Sequence, residues 1–294
     1  MSFTQLYDFR GKTALITGAS GGLGEQFARC LHARGARVIL ASRRLDKLRD
    51  LSSELGNAKA IEMDVADKSS VISCFAELES AGEKIDICIN NAAVLNSTPI
   101  FELDNNNFEN IMQTNVVGAW YVLQCTANHM KNYKINGSII NISSAGADKV
   151  SRANVSGYYA SKAAIVRLTQ NLVHELSPHN IRVNAILPGT ILTSMTQHRF
   201  KSQKDIQNAN SRIPLKRLGE TEDLDGIILY LASNNASKYV TGSCFTIAVL
   251  YQPAEAVLLP LADFSKETPK VLALVPKAVA ILLANPYPVE APTI

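Results

Sequence analysis

The sequence lacks the cysteine patterns of a metal site or of a disulfide framework. It contains no Cys-x-x-Cys pair, and its five cysteines are far apart and odd in number. Such cysteines are typical of a reduced cytosol, where most act as small buried hydrophobic side chains. We therefore expect a cytoplasmic protein that holds no metal. The cysteines are Cys30, Cys74, Cys88, Cys125 and Cys244.

A strong charge of one sign is missing, and so is any membrane-spanning apolar run before residue 250. The 294 residues carry a formal net charge of +3, with Lys and Arg spread along the chain, which is unlike a nucleic-acid-binding protein. The opening residues lack the basic-then-apolar profile of a signal peptide. The content of 47% hydrophobic and 19% charged residues is that of a soluble globular protein. We expect neither a nucleic-acid partner nor a membrane anchor.

Glycine is absent from the end of the chain. All 16 glycines lie at or before Gly242, whereas seven of the 11 prolines lie at or after Pro253. Only short apolar runs occur there, and Pro276 and Lys277 separate two of them, which argues against a membrane span. This change in composition divides the chain into a folded domain at residues 1–248 and an atypical, proline-rich tail at residues 249–294.

Short runs rich in Val and Ile alternate with amphipathic segments over the first domain. The runs are typical of strands buried on both faces. Their alternation with helices predicts a single-domain α/β fold with a doubly wound parallel sheet of about seven strands, the Rossmann fold. The predicted strands are KTALIT, ARVILA, AKAIEM, IDICI, GSIINI, IRVNAI and GSCFTIAV, and the clearest helices are Leu23–Arg34, Asp46–Leu55, Ser70–Ser80 and about Asp223–Ser233.

A glycine-rich turn, in ALITGASGGLGEQFARCL, joins the first strand to a helix. Gly18, Gly22 and Gly24 would let the backbone approach a pyrophosphate at the helix N-terminus. A tight structural turn would also account for these glycines. A nucleotide triphosphate loop is excluded, because no Gly-Lys-Ser/Thr ending is present. The position of the turn between strand and helix favours a dinucleotide.

The end of the second strand lacks the acidic residue that binds the ribose 2′-hydroxyl of NAD. The sequence there is ASRRLDK, with Ser42, Arg43 and Arg44. A guanidinium can bind a 2′-phosphate through two hydrogen bonds, although an exposed basic turn would look the same. The pattern favours NADP over NAD.

Two adjacent tyrosines precede a lysine in SGYYASKAAI. Tyr158 lies four residues before Lys162 and Tyr159 lies three before it, so either tyrosine could share a helical face with the lysine. A free phenol has a pKa of about 10, too high for efficient proton transfer at neutral pH. A nearby ammonium and a cationic nicotinamide ring would lower this pKa. Spacing alone does not choose between the tyrosines.

Six motifs, in order along the chain, resemble those of the short-chain dehydrogenase/reductase family. YYASK is similar to the family's Tyr-x-x-x-Lys, matched by Tyr158 and Lys162, and TGASGGLG resembles Thr-Gly-x-x-x-Gly-x-Gly. NNAA is similar to Asn-Asn-Ala-Gly, with Ala93 departing at the last position. NISS, PGTILT and Asn115 in QTNVVG complete the set. The resemblance covers roughly residues 8–247 and extends to 3-oxoacyl-carrier-protein reductases and gluconate dehydrogenases.

The resemblance implies a role for each matching residue. Tyr158 would exchange a proton with the substrate oxygen, and Ser144, rather than Ser143, would hydrogen-bond that oxygen. Lys162 would bind the nicotinamide ribose and lower the pKa of Tyr158, and Asn115 would hold a water that links Lys162 to solvent. Taken singly, each of these residues could be structural instead. The cofactor-binding residues implied are Gly18, Ser20, Gly22, Leu23, Gly24, Ser42, Arg43, Asp64, Val65, Asn91, Ala92, Tyr158, Lys162, Pro188, Gly189, Ile191 and Thr193.

Two features depart from the family pattern. Gly21 stands where many NADP-dependent relatives carry a basic or hydroxyl residue. After the last strand, FTIAVLYQPAEAV replaces the family's Asp-Gly-Gly, as if the reading frame had shifted. Because this end packs at a subunit interface in relatives, we expect a homo-oligomer, a dimer or a tetramer, with the tetramer in doubt.

The function expected is NADP-dependent interconversion of a ketone and a secondary alcohol of a small molecule by hydride transfer. Both 3-oxoacyl-carrier-protein and polyol or sugar-acid substrates stay open, with contacts expected from Ala145–Gly157 and from a mobile lid near Ser194–Ile213. The alternative is a catalytically silent NADP-binding sensor or scaffold, which the altered C-terminus keeps open. A nucleotide-sugar epimerase or dehydratase also uses Tyr-x-x-x-Lys, but its glycine spacing is shorter.

Overall fold

The computed structural model describes residues 3–102, 104–149 and 152–248. The strands in these ranges are β1 (Thr13–Thr17), β2 (Arg37–Ser42), β3 (Ala58–Glu62), β4 (Ile87–Asn90), β5 (Ser138–Ile142), β6 (Arg182–Pro188) and β7 (Cys244–Ile247). They form one parallel sheet in the order β3-β2-β1-β4-β5-β6-β7. The order reverses between β1 and β4, where ligands bind in folds of this kind. The predicted Rossmann-type α/β fold is thereby confirmed.

Helices connect the strands as the alternating pattern predicts. The four helices expected most clearly from periodicity begin and end within two residues of the predicted positions. A π-helical turn, Gln113–Gly118, joins two further helices. The α-helices are α1 (Phe3–Leu6), α2 (Gly22–His32), α3 (Leu45–Leu55), α4 (Lys68–Ser80), α5 (Asn105–Met112), α6 (Ala119–Asn132), α7 (Ser156–Asn171), α8 (Val173–Leu176), α9 (Gln203–Arg212) and α10 (Asp225–Ala232).

The core consists of two apolar clusters on opposite faces of the sheet. Strands β4, β5 and β6 are buried along their whole length, as continuous apolar runs predict for a sheet covered on both faces. Ile16 belongs to the cluster that includes α2 and α10, and Leu15 to the one that includes α4 and α6. Successive strand residues point to opposite faces, so the two clusters sandwich the sheet and hold the strand ends in place.

Some of the sequence-based expectations concern segments at the edges of the described ranges. The predicted tail at residues 249–294 lies outside them, as do Val150 and Ser151 of the predicted substrate-contact segment. Helix α9 lies within the predicted lid and begins with a capping box between Ser202 and Asp205. Within the described ranges, no helix combines the length and apolar character needed to span a membrane.

Candidate functional site

Two adjoining cavities lie at the carboxyl ends of the parallel strands. The loop cavity, of about 270 Å³, follows the glycine-rich turn and the ends of β2, β3 and β4. The tyrosine cavity, of about 100 Å³, lies at the ends of β5 and β6 beside α7. Leu23, Asn91, Ala93, Thr193 and Met195 line both cavities. A ligand that fills the loop cavity can therefore extend to the groups around Tyr158.

The glycine-rich turn needs glycine at three positions. Gly18 and Gly22 have φ angles of 68° and 59°, in the left-handed region that glycine adopts without strain. A Cβ on Gly24 would lie 2.3 Å from the Gly18 carbonyl oxygen. Gly24 lines neither cavity. The absence of a side chain at this position instead lets α2 lie close to the turn. Among the described residues, no side chain caps α2 at Gly21, so its first N–H groups are available to a phosphate.

Thr17 joins the turn to the end of β4. Its hydroxyl oxygen accepts hydrogen bonds from the backbone N–H groups of Asn91 and Ala92, at 2.9 and 3.0 Å. The Asn91 side chain donates in return to the Thr17 carbonyl oxygen, at 2.9 Å. These bonds hold Asn91 and Ala92 at the wall of the loop cavity, where the sequence placed them. Thr17 itself was not predicted as a site residue, although it is the first residue of the glycine motif.

The basic residues after β2 line the loop cavity together with Ser42. Arg44, which was not assigned to the cofactor, crosses the glycine-rich turn. Its Nε donates to Ser20 Oγ at 3.0 Å and its Nη2 to the Ser20 carbonyl oxygen at 3.2 Å. A Cβ on Gly21 would lie 3.6 Å from that Nη2. The guanidinium of Arg44 thus lies beside Gly21, the position noted above as a departure from many NADP-dependent relatives.

The end of β3 closes the loop cavity on the side of the predicted adenine contacts. Asp64 and Val65 both line the cavity, and Asp64 Oδ1 accepts a hydrogen bond from the Ala66 N–H at 3.0 Å. A Cβ on Gly118 would lie 2.6 Å from the Val65 carbonyl oxygen, so the π-helical turn packs directly on this segment. Met63, Val94 and Thr114 also line the cavity, and the sequence did not single them out. The remaining lining residues are Gly21 and Ala93, noted above as departures from the family pattern, and Ser194 and Met195, which belong to the predicted lid.

The tyrosine cavity contains the predicted serine, tyrosine and lysine. The side chains of Ser144 and Tyr158 are hydrogen-bonded, and Lys162 Nζ lies 5.7 Å from the centroid of the Tyr158 ring. Ser143 Oγ instead donates to the Lys162 carbonyl oxygen at 2.7 Å. Of the two serines, it is therefore Ser144 that meets the tyrosine. The other lining residues are Leu23, Asn91, Ala93, Ile142, Ser143, Pro188, Gly189, Ile191, Thr193, Met195 and Thr196.

Burial shifts the pKa values of Tyr158 and Lys162 in opposite directions, and both shifts favour the neutral side chain. Burial raises the pKa of Tyr158 to about 12, the hydrogen bond with Ser144 opposes this, and Tyr159 adds to it. Burial also lowers the pKa of Lys162 to about 8, and its Nζ donates to the Ile142 carbonyl oxygen at 2.8 Å. In the protein without cofactor, desolvation therefore outweighs the hydrogen bond with Ser144 and raises the pKa of Tyr158. The decrease expected from Lys162 together with a cationic nicotinamide ring stays a prediction.

Asn115 lies in the π-helical turn, 1% exposed, and lines neither cavity. Its Oδ1 accepts from the Val94 N–H at 2.8 Å, and its Nδ2 donates to the Val94 carbonyl oxygen at 2.9 Å and to Ser161 Oγ at 3.0 Å. Ser161 Oγ in turn donates to the Tyr158 carbonyl oxygen at 2.7 Å. Both Nδ2 hydrogens are thus used, and the side chain links the segment after β4 to α7.

Comparison with known proteins identifies the family. A family model described as enoyl-(acyl carrier protein) reductase matches residues 18–248. A sorbitol dehydrogenase from Cereibacter sphaeroides is 34% identical over 247 residues, which are 81% of this chain and 96% of that protein.

Two solved structures are similar over most of both chains. A short-chain type dehydrogenase/reductase from Mycobacterium marinum is 35% identical, with a TM-score of 0.80 and coverage of 86% of this chain and 100% of that one. A gluconate 5-dehydrogenase from Burkholderia cenocepacia J2315, solved with NADP and tartrate, is 28% identical, with a TM-score of 0.78 and coverage of 83% and 96%. The chain belongs to the short-chain dehydrogenase/reductase family and is an NAD(P)-dependent oxidoreductase acting on alcohol groups.

Proposed function

We propose that the protein uses NADP to interconvert a ketone and a secondary alcohol of a polyol or sugar acid by hydride transfer, with Tyr158 as general acid and base. The observation that carries this proposal is the common cavity of Tyr158, Ser144 and Lys162, which adjoins the loop cavity. A binding module would need the loop cavity but not this second set of groups. The catalytically silent alternative therefore has less support.

The similarity to sorbitol and gluconate dehydrogenases supports a polyol or sugar acid over a 3-oxoacyl thioester. These names describe the relatives. The polar sequence of the predicted lid also favours a hydrophilic substrate. Thr193, Met195 and Thr196 line the tyrosine cavity between Ile191 and α9, where a mixed polar and apolar wall would meet a substrate rich in hydroxyl groups.

The loop cavity fits a dinucleotide. A side chain at Gly22 would approach Thr193, so glycine at this position leaves room for a pyrophosphate. Glycine at position 24 instead lets α2 lie close to the turn. Arg43 and Arg44 at the end of β2, with no carboxylate at this position, support NADP over NAD. Bound NADPH would supply the hydride, and bound NADP⁺ would accept it.

The residues of the tyrosine cavity would handle the proton and the substrate oxygen. During reduction Tyr158 would donate its phenolic proton to the carbonyl oxygen, and Ser144 would hydrogen-bond the same oxygen. A pKa of about 12 keeps Tyr158 protonated at neutral pH, which suits a proton donor. Lys162 Nζ donates one of its three hydrogens to the Ile142 carbonyl oxygen. Its other two hydrogens could be donated to the ribose hydroxyl groups. Oxidation would require the reverse proton transfer, which nearby positive charge favours.

The test is turnover of sorbitol, gluconate and 3-oxoacyl thioesters, with Tyr158→Phe as the diagnostic variant. We expect Tyr158→Phe to lose roughly 100-fold or more in kcat, while NADPH binding, followed by nicotinamide fluorescence, stays unchanged. Tyr159→Phe is the matched control and should keep its activity. Full activity in Tyr158→Phe would reject the assigned proton donor, and NADPH binding without turnover of any substrate would favour the silent sensor.

We also infer a homo-oligomer and a cytoplasmic location. Enzymes of this family commonly act as oligomers, and light scattering on the purified chain would distinguish a monomer, a dimer and a tetramer. All five cysteines are free, as a reducing compartment requires. A fluorescent fusion found outside the cytoplasm would reject the location. The division into a catalytic domain at residues 1–248 and a tail at residues 249–294 stays a prediction.

A further inference from the structure

A short turn after β6 lies where the loop cavity meets the tyrosine cavity. We call residues Ile191–Thr196 the junction turn. Within it, Thr193 and Met195 line both cavities, and Thr196 lines the tyrosine cavity. A Cβ on Gly22 would lie 3.4 Å from Thr193 Cβ, so the junction turn reaches from the end of β6 to the glycine-rich turn. A ligand that extends from one cavity into the other therefore runs along the junction turn.

The hydroxyl group of Thr196 joins the two ends of the junction turn. Its oxygen accepts a hydrogen bond from the Thr193 N–H at 2.9 Å, and it donates to the Ile191 carbonyl oxygen at 2.6 Å. The Thr193 carbonyl oxygen lies farther away, at 3.2 Å, and a hydroxyl group has a single hydrogen, so the closer acceptor is favoured. One side chain thus fixes both the start and the end of the turn.

The start of the junction turn is anchored to the rest of the fold. Ile191 forms an isolated parallel bridge with Gly219, and the Leu192 N–H donates to the Gly219 carbonyl oxygen at 2.8 Å. The later residues have no such anchor. In the described ranges, the hydrogen bonds of Thr193–Thr196 are all made within residues 191–199. The hydroxyl link is therefore what connects this part of the turn to its anchored start.

We propose that Thr196 is a positioning residue, whose hydroxyl group holds the junction turn in the conformation that binds the nicotinamide half of the dinucleotide. Hydride transfer requires the nicotinamide ring beside the substrate oxygen at Tyr158, so this half must extend across the junction, whereas the adenine half needs only the loop cavity. A turn that is ordered before binding loses less conformational freedom when the ligand binds. The inference rests on the proposed function and deepens it, because Thr196 acts through Thr193 and Met195.

The first experiment measures NADPH binding without substrate in three variants at this position. Thr196→Val keeps the shape of threonine and Thr196→Ala does not, but both remove the hydroxyl group, whereas Thr196→Ser keeps it. We expect the first two to raise the Kd for NADPH roughly tenfold, the scale of one or two hydrogen bonds, mainly through faster dissociation in stopped-flow nicotinamide fluorescence. Thr196→Ser should bind like the parent. An unchanged Kd in Thr196→Val and Thr196→Ala would overturn the proposal.

A ligand without nicotinamide distinguishes positioning from a general loss of structure. Adenosine 2′,5′-bisphosphate carries the adenine, ribose and 2′-phosphate of NADP, but it has no group to place at the junction. Its Kd, measured by isothermal titration calorimetry, should be the same in the parent and in Thr196→Val. Equal weakening of both ligands would mean that the substitution disturbs the whole loop cavity, and it would reject the positioning role.

The matched control removes a hydroxyl group from a different helix end. Ser80, the last residue of α4, is exposed, donates to the Ala76 carbonyl oxygen at 2.8 Å and lines neither cavity. Ser80→Ala should therefore change neither Kd. A tenfold weaker binding of NADPH in Ser80→Ala as well would remove the special role of Thr196.

The binding comparison separates failure of this inference from failure of the proposed function, because it requires no turnover. Weaker NADPH binding in Thr196→Val, in a protein that oxidises or reduces no tested substrate, would support the positioning role and count against the proposed function alone. If the protein binds NADH instead of NADPH, the same variants are compared with NADH and adenosine 5′-monophosphate. The difference between the two ligands should then persist, and its absence would overturn the inference.

Discussion

Gly146 explains which of the two adjacent tyrosines reaches the tyrosine cavity. A Cβ at this position would lie 1.9 Å from Tyr159 Cε1, so only glycine leaves room for the Tyr159 ring against the backbone after Ser144. With Tyr159 packed there, Tyr158 is the residue that meets Ser144 and Lys162. Helical spacing could not make this distinction, because three and four residues both bring a side chain to the face of Lys162.

Burial of Lys162, which is 3% exposed, predicts a particular dependence of stability on pH. Its pKa falls from 10.5 to about 8 in the folded protein, so the unfolded chain binds more protons between these values. The free energy of unfolding should therefore rise with pH from about 8 to 10.5, by on the order of 3 kcal/mol from this group. Urea denaturation of the parent and of Lys162→Met at pH 7.5 and pH 9.5 measures the effect.

The difference between the two proteins isolates Lys162, since all other titrating groups are common to both. Relative to Lys162→Met, the parent should gain stability between the two pH values. Tyr158 does not disturb this window, because its raised pKa of about 12 affects stability only above its ordinary value of 10. A stability difference independent of pH would show that Lys162 titrates normally in the folded protein.

At the scale of single residues, the sequence predicted which side chains line the same cavities. It did not predict how burial shifts their pKa values. Gly18, Asn91, Ser144, Tyr158 and Lys162 line the expected cavities, because each belongs to a motif with a fixed place beside a strand end. The direction of the Tyr158 pKa shift depends on how much water burial removes, which spacing does not reveal. Adjacent arginines present the same difficulty, and only the contacts of Arg44 with Ser20 distinguish it from Arg43.

At the scale of elements, the contact between α2 and the glycine-rich turn predicts opposite effects for two glycine substitutions. Gly24→Ala would force a Cβ to within 2.3 Å of the Gly18 carbonyl oxygen and 2.7 Å of Asn91 Nδ2. We expect it to lower the free energy of unfolding by about 2 kcal/mol or more and to weaken NADPH binding. Gly226→Ala, also in the first turn of a helix, is the control, because no described atom lies within 4 Å of its Cβ position.

The control should be neutral or stabilising by up to about 1 kcal/mol, since alanine has the higher helix propensity. Urea denaturation and NADPH fluorescence titration report on stability and on binding separately. If Gly24→Ala were as stable as Gly226→Ala and bound NADPH equally well, the close approach of α2 to the turn would not matter for either property.

The π-helical turn shows where sequence patterns stop being informative about elements. The sequence analysis assigned no helix around Asn115. Apolar periodicity would also not reveal one wider turn within a helix, because six residues are too few to change the period. The turn brings Asn115 to Val94 and Ser161 and packs Gly118 against Val65. The expected water bound by Asn115 stays a prediction, whereas its link to the backbone of Tyr158 is a structural role that the motif did not suggest.

On the scale of the whole molecule, the fold followed from the sequence because nearly every strand is a short apolar run. Such runs have few alternatives to a parallel sheet covered on both faces, and that sheet gathers the strand-end loops at one edge. What the sequence could not predict are the contacts between distant polar groups. Thr17 with Asn91, Arg44 with Ser20 and Arg182 with Asn234 join residues whose partners depend on tertiary packing alone.

Arg182 joins the last elements of the sheet and predicts a large effect on global stability. It begins β6, is 8% exposed, and donates to the Leu231 carbonyl oxygen at 2.9 Å, to Asn234 Oδ1 at 2.8 Å and to the Val240 carbonyl oxygen at 3.3 Å. The guanidinium thus ties β6 to the end of α10 and to the segment that leads into β7. Burial lowers its pKa to about 10, so it stays charged at neutral pH.

Arg182→Met would keep the apolar stem and remove the guanidinium from all three acceptors. The Leu231 and Val240 carbonyl oxygens would keep their hydrogen bonds from Ser138 Oγ and Asn184 Nδ2, and Asn234 Oδ1 would lose both of its bonds from Arg182. We expect the free energy of unfolding to fall by about 2–4 kcal/mol. Arg49→Met, at an exposed position on α3 with a single ion pair at 3.8 Å, should cost less than about 0.5 kcal/mol. Urea denaturation of both variants measures the difference. Equal midpoints would mean that the remaining hydrogen bonds and water compensate for the lost guanidinium, and that β7 is held to β6 without the arginine.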